Sequence, residues 1–156
     1  MSSKLLTIPM PVLDLTVASL RAAGTRRSEG VVLWLARSDG DTVAVCEAYV
    51  PDYSAASDFF YISPPSMSRL LGHLGRTETM IAAQVHSHPK EAFHSSADDR
   101  WAIVRHEGAL SLVLPRFAMD TNAANFMGHV AAFRLDAQNE WIEIPHVEFG
   151  SFMVLR

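Results

Sequence analysis

Leu13, Val17 and Leu20 recur at helical spacing. The pattern predicts a helix over roughly Val12 to Ala23, closed by Gly24. Gly30 to Ala36 is a dense apolar run that reads as a strand. The turn signal Ser38-Asp39-Gly40-Asp41 follows, and then a second strand from Thr42 to Val50 that Pro51 stops. Phe59 and Tyr61 suggest a further short strand. Pro64-Pro65 opens a helix in which Met67, Leu70, Leu71 and Leu74 occupy i, i+3, i+4 and i+7. Met80 to His88 reads as a strand halted by Pro89. Ser95-Ser96 then caps a helix with Asp98 and Asp99 in its first turn, running through Trp101, Ile103 and Val104 to Gly108. Leu110 to Leu114 is a strand, and Val130–Leu135 with Trp141–Ile144 forms a hairpin around Asp136-Ala137-Gln138-Asn139. This order predicts an α/β chain of the α+β kind, a central mixed sheet flanked by helices.

Composition adds boundaries to that picture. The 156 residues, 49% hydrophobic and 19% charged, suit a single domain over 1–156 with a core of its own. A net charge of −4 offers no electrostatic footprint for nucleic acid or an anionic membrane. The single cysteine, Cys46, excludes an internal disulfide and any multi-cysteine zinc site. Its neighbours Val43-Ala44-Val45 predict a buried, inert thiol in a strand. Met1 to Leu6 lacks a long apolar stretch, and no apolar run reaches membrane-spanning length, so a cytoplasmic protein is expected.

The chemistry concentrates in QVHSHPKEAFHSSADD, Gln84 to Asp99. Alternate residues of a strand share a face, so His86 and His88 project together and Ser87 projects oppositely. Two imidazoles on one face suit zinc but do not complete a site. A carboxylate of the following helix start, Asp98 or Asp99, is positioned to return as a third ligand. Two His and one Asp would leave a fourth position open, as catalytic zinc sites do. The plainer alternatives are a solvated histidine pair, helix-start acids, and Ser96 as a cap. His73, His94, His106, His129 and His146 lie in separate segments or at the rim. There is no H-E-x-x-H, a zinc deaminase needs more cysteines, and a cupin would lack the helices.

The full pattern is His86-x-His88-Pro89, ten residues between His88 and Asp99, and Ser96 three before Asp99. It resembles the JAMM motif, H-S-H-P…S-x-x-D, of the MPN (JAB/Mov34) metallopeptidases, and the element order is similar over roughly residues 5 to 145. The resemblance selects Asp99 over Asp98. It implies one zinc per chain held by His86, His88 and Asp99, with Ser96 donating to the oxyanion. It also implies a general base at the start of an early strand, and Glu29 stands at that place. The family pattern E-x-x-G-L-L-x-G is broken here by Val32 and Ala36, which leaves Glu47 as a rival. Gln84-Val85 replaces residues that are often aromatic in relatives.

The activity so implied is isopeptidase or peptidase cleavage after the C-terminal glycine of a ubiquitin-like protein. The compact chain is similar to the small stand-alone bacterial members, which accompany ubiquitin-like conjugation and antiviral defence systems or sulfur-carrier maturation. A reading of another class is a module that binds a ubiquitin-like tail without turnover. Neither nucleic acid nor membrane is an expected partner, and the sequence does not define the oligomeric state.

Overall fold

A computed structural model describes residues 4–55, 60–93 and 103–156. Its centre is an eight-stranded sheet in the order β10-β1-β3-β2-β6-β7-β8-β9. The strands are β1 (Leu5–Ile8), β2 (Val31–Asp39), β3 (Thr42–Tyr49), β6 (Met80–Ser87), β7 (Leu110–Leu114), β8 (Ala131–Leu135), β9 (Trp141–Ile144) and β10 (Met153–Leu155). Two-residue strands β4 (Ser54–Ala55) and β5 (Phe60–Tyr61) pair separately. β1 runs parallel to both β10 and β3, and β6 runs parallel to β7, while the other neighbours in the large sheet are antiparallel. The mixed α/β class read from the sequence is the class observed.

The apolar run 31–36 is central because both of its faces are covered. Val32, Trp34 and Ala36 pack with Leu13, Val17 and Leu20 of helix α1 (Met10–Thr25). Val31, Leu33 and Leu35 pack with Leu70 of helix α2 (Pro64–Thr77). A strand buried on both faces has no reason to alternate with polar residues, which is why it reads as a continuous run. Residues of β1, β10, β7, β8 and β9 all join the cluster around α1, so the sheet curls about that helix. The buried Trp34 indole donates to Thr16 Oγ1 at 2.9 Å, and that hydroxyl donates to the Val12 carbonyl at 2.7 Å. The polar edge of the ring is thereby satisfied inside the core.

Three expectations need correction, and two strands were not anticipated. Helix α1 does not end at Gly24 but continues to Thr25, and Arg27 takes the left-handed conformation, φ 55°. Gly24 serves packing instead: a Cβ there would lie 2.4 Å from Phe117 Cβ. Cys46 is exposed, not buried. The β2–β3 register passes from Leu35↔Glu47 to Ala36↔Val45, so Cys46 is the extra residue of a bulge and turns outward. The helix expected to run to Gly108 is not helical over 103–108. There the Gly108 amide donates to Leu135 O at 2.8 Å and Gly108 itself takes φ +87°, so the backbone bonds to β8 rather than continuing a helix. The helix's first part, including Ser95, Ser96, Asp98, Asp99 and Trp101, lies outside the described residues. Finally, β1 and β10 carry no local signal of their own: β1 is held between β3 and β10, and β10 pairs with β1 from the other end of the chain.

Gly24→Ala should lower stability by about 1–3 kcal/mol, since the new methyl meets the Phe117 side chain and backbone. Gly75→Ala, in α2 with open space around it, should be neutral or stabilising by up to about 1 kcal/mol. Urea midpoints of the two variants measure the difference, and equal midpoints would refute the packing role of Gly24.

Candidate metal centre

The C-terminal end of β6 carries the histidines. His86 pairs with Val31 of β2 and with Val113 of β7, which places it between two neighbouring strands. His88 lies just past the end of the strand. Both are buried, and their ring centroids are 5.2 Å apart. Ser87, between them, is buried on the opposite, α1-facing side. The one-face arrangement expected from the strand period is the arrangement found.

His88 is held through its backbone. Its amide donates to Leu114 O at 2.9 Å, and its carbonyl accepts from the Phe117 amide at 2.8 Å. Phe117 lies in a short turn, Arg116–Ala118, whose three residues all have positive φ: 51°, 54° and 58°. None is glycine, so the turn carries backbone strain, about 1–2 kcal/mol per residue. It is anchored on α1: Arg21 Nε donates to Ala118 O at 3.0 Å, its guanidinium also bonds Thr121 O, and the Phe117 ring seats on Gly24. On the outer side Phe93, 51% exposed, meets the His88 ring edge-on at 4.6 Å.

Glu29 reaches the same place from the other direction. Arg27 and Ser28 fold back to donate to Gly24 O and Ala23 O, so the link from α1 to β2 is tight. It delivers a buried Glu29 whose Oε1 is 3.7 Å from His88 Nε2; both side chains are 2% exposed. The rival Glu47 is elsewhere. It faces Leu35 in the register, four residues or ~13 Å along β2 from Val31. Its carboxylate accepts from His73 Nε2 at 2.8 and 3.0 Å.

A cleft of about 380 Å³ opens at Glu29, lined by Ser19 and Arg26 on one side and Pro51, Tyr53 and Ala55 on the other. Burial pushes the Tyr53 hydroxyl above its ordinary pKa, against smaller downward effects of a backbone bond to Val31 and the Arg26 charge. A larger cavity, about 680 Å³, lies at the opposite end of β6 among Lys4, Met80, His106 and Arg134. Of these two, the smaller one reaches Glu29.

The donor set fits a divalent metal as far as it is described. Two buried imidazoles side by side with a carboxylate adjacent are the ligand and base chemistry of a zinc site. Among the described residues no group of three His, Cys, Asp or Glu completes a metal cage. The remaining expected members, Asp99 and Ser96, are outside them. Sequence reading missed Phe93, Arg21 and Phe117, whose roles depend on tertiary contact. It also undervalued Gln84. That side chain is fully buried, donates to Ser111 Oγ at 3.1 Å and accepts from the Ile103 amide at 2.9 Å. This one side chain thus ties β6 to β7 and to the backbone at Ile103. Among the described residues no helix is long and apolar enough to cross a membrane.

No family model matches the sequence. The chain is 34% identical over 142 residues to the "Probable metalloprotease y4jG" of Sinorhizobium fredii (strain NBRC 101917 / NGR234), covering 88% of this chain and 86% of that protein. In fold it is similar to the solution structure of protein DSY2949 from Desulfitobacterium hafniense, with a TM-score of 0.70 at 17% identity, covering 97% of this chain and 93% of the other. With the paired histidines and Glu29 gathered at one end of such a sheet, the extent of the first likeness decides the matter: this chain belongs to the metalloprotease family of the S. fredii protein.

Proposed function

We propose that the protein is a one-zinc peptidase of the JAMM type that hydrolyses the amide bond after the C-terminal glycine of a ubiquitin-like protein in the cytoplasm. The observation that carries the reading is the burial together of His86, His88 and Glu29, with the two rings 5.2 Å apart, Glu29 Oε1 3.7 Å from His88 Nε2, and Glu29 lining a cleft. The metal is read as zinc because imidazole and carboxylate donors with an open position are its catalytic preference. His86 and His88 would hold it together with Asp99.

When bound, zinc acidifies a water toward neutrality and polarises the scissile carbonyl. The protein's own groups do the rest. Glu29, beside His88, accepts the proton of the attacking water and passes it to the departing amine. Ser96 donates a hydrogen bond to the oxyanion that develops on the carbonyl. Burial of Glu29 excludes competing water from the proton transfer. The cleft between α1 and the 50–55 segment gives an extended tail a path to Glu29, with backbone pairing rather than charge supplying its grip. Small glycines at the tail's end suit a narrow approach to buried groups.

One equivalent of zinc per chain is expected, and His86→Ala, His88→Ala or Asp99→Ala should each remove most of it while Asp98→Ala should not. Elemental analysis of the purified variants decides, and the reverse pattern at 98 and 99 would reassign the third ligand. Glu29→Gln should keep the metal yet lose turnover by about 10²-fold or more, whereas Glu47→Gln should retain it. A Glu47→Gln protein that is dead beside an active Glu29→Gln would place the base on the wrong strand. For the substrate, mass spectrometry of a tail-extended cognate ubiquitin-like protein should find a single cut after its terminal glycine. Changing that glycine to a bulky residue should slow the reaction far more than changing the residue that follows. Scattered cuts, or equal cleavage of unrelated unfolded chains, would leave only a general peptidase.

A further inference from the structure

Ser87 sits between the two histidines but faces away from them, and the proposed chemistry leaves it without a task. It is fully buried, and it makes two bonds to one residue. The Ser87 amide donates to Gly30 O at 3.2 Å, and the Gly30 amide donates to Ser87 Oγ at 3.0 Å. The first bond continues the β2–β6 pairing beyond Val31↔His86. The second is not a ladder bond.

Its consequence follows from backbone geometry. The Gly30 N–H belongs to the peptide plane that joins Glu29 to Gly30. That plane's rotation sets ψ of Glu29 and φ of Gly30, and with them the direction in which the Glu29 side chain leaves the backbone. Residue 30 is a glycine for packing reasons. A Cβ there would lie 2.8 Å from Leu20 Cδ2 and 3.2 Å from Ala23 Cβ, so α1 can approach β2 this closely only over a bare Cα. Glycine brings the greatest backbone freedom of any residue to the position beside Glu29. The Ser87 hydroxyl removes that freedom at the one bond that matters.

We propose that Ser87 is a positioning residue: by holding the Glu29–Gly30 peptide through its hydroxyl, it aims the Glu29 carboxylate at the position beside His88. The proposal rests on the reading of Glu29 as the general base. It couples the strand that carries the histidines to the segment that carries the base, so that ligand and base keep one geometry. A displacement on the order of 1 Å of a catalytic group is enough to cost about 10²-fold in rate, so a lost tether is readable in kinetics.

The test compares Ser87→Ala, Glu29→Gln and the double variant in the full chain. Ser87→Ala should lower kcat by roughly tenfold or more, with KM and zinc affinity unchanged. In the Glu29→Gln background the same change should cause no further loss, because the group it aims is gone. In the metal-free protein, hydrogen exchange should accelerate about tenfold at the Gly30 amide while the Val32 amide, inside the β2–β6 pairing, keeps its rate. Ser87→Thr, which retains a hydroxyl, should restore kcat; if its methyl prevents folding, the double-variant comparison stands without it. Full kcat in Ser87→Ala, or an equal further loss in the Glu29→Gln background, would overturn the tether. Wild-type turnover in Glu29→Gln would instead overturn the base assignment, and the Gly30 exchange rate would then report separately on whether Ser87 holds the peptide.

Discussion

The candidate centre depends on one strand pairing, the first residues of β2 against the last of β6. Val31 lies opposite His86, and Gly30 meets Ser87 just beyond it. A slip of one residue would exchange the faces of every side chain on β2. Trp34 would turn to the α2 side, away from the Thr16 hydroxyl that accepts its indole N–H. Leu33 and Leu35 would turn to the α1 side, into space that Trp34 now fills. The core therefore fixes the register, and the register carries Glu29 to His88. The neighbours of β2 bulge farther along, with Cys46 of β3 and Ala82 of β6 as the extra residues, so irregularity is kept away from the end that holds the histidines.

A second constraint works at the level of backbone conformation. Three consecutive non-glycine residues in a left-handed turn, Arg116–Ala118, are not a local preference of the chain. They persist because contacts on α1 over-determine them: the Arg21 guanidinium on the carbonyls of Ala118 and Thr121, and Phe117 in the notch left by Gly24. What the strain maintains is the Phe117 amide on the His88 carbonyl. Strain of this kind gathers where surrounding structure holds a functional geometry in place. Here α1 supplies the same service twice, through Gly24 beneath the turn and through Leu20 and Ala23 against Gly30.

These two constraints explain which parts of the molecule were legible in sequence. Strands β2, β3, β6 and β7, helix α2 and the β8–β9 hairpin each carry a complete local signal, an apolar pattern bounded by turn residues or proline. His86 and His88 inherit their common face from the strand period, and Glu29 its neighbourhood from the start of the apolar run. Strands β1 and β10, four and three residues long, hold no such signal, because their stability lies in pairing across nearly the whole chain. Gly24 was misread as a helix stop because packing and capping ask for the same residue. Cys46 was misplaced because its apolar strand neighbours carry no sign of the bulge that turns it outward. The segment 103–108 was assigned to a helix on its apolar residues and on Gly108 as a stop, whereas Val104 packs with Ala109 and Leu135 while the backbone turns. Nothing local distinguishes Arg21 or Phe117 from any surface arginine or core phenylalanine.

The burial of Glu29 joins fold to chemistry. A carboxylate removed from water is costly unless positive charge or hydrogen-bond donors replace the solvent. Glu29 is carried into the interior beside a histidine equally buried, its Oε1 3.7 Å from His88 Nε2. A dication held by the two imidazoles would place two positive charges next to that carboxylate in a region of low polarity, where the attraction is far stronger than at a surface. Binding of a metal by the two imidazoles would be coupled to folding of this end of the sheet. The carboxylate beside the imidazoles, rather than among the ligands, is the separation of roles that a hydrolytic site needs.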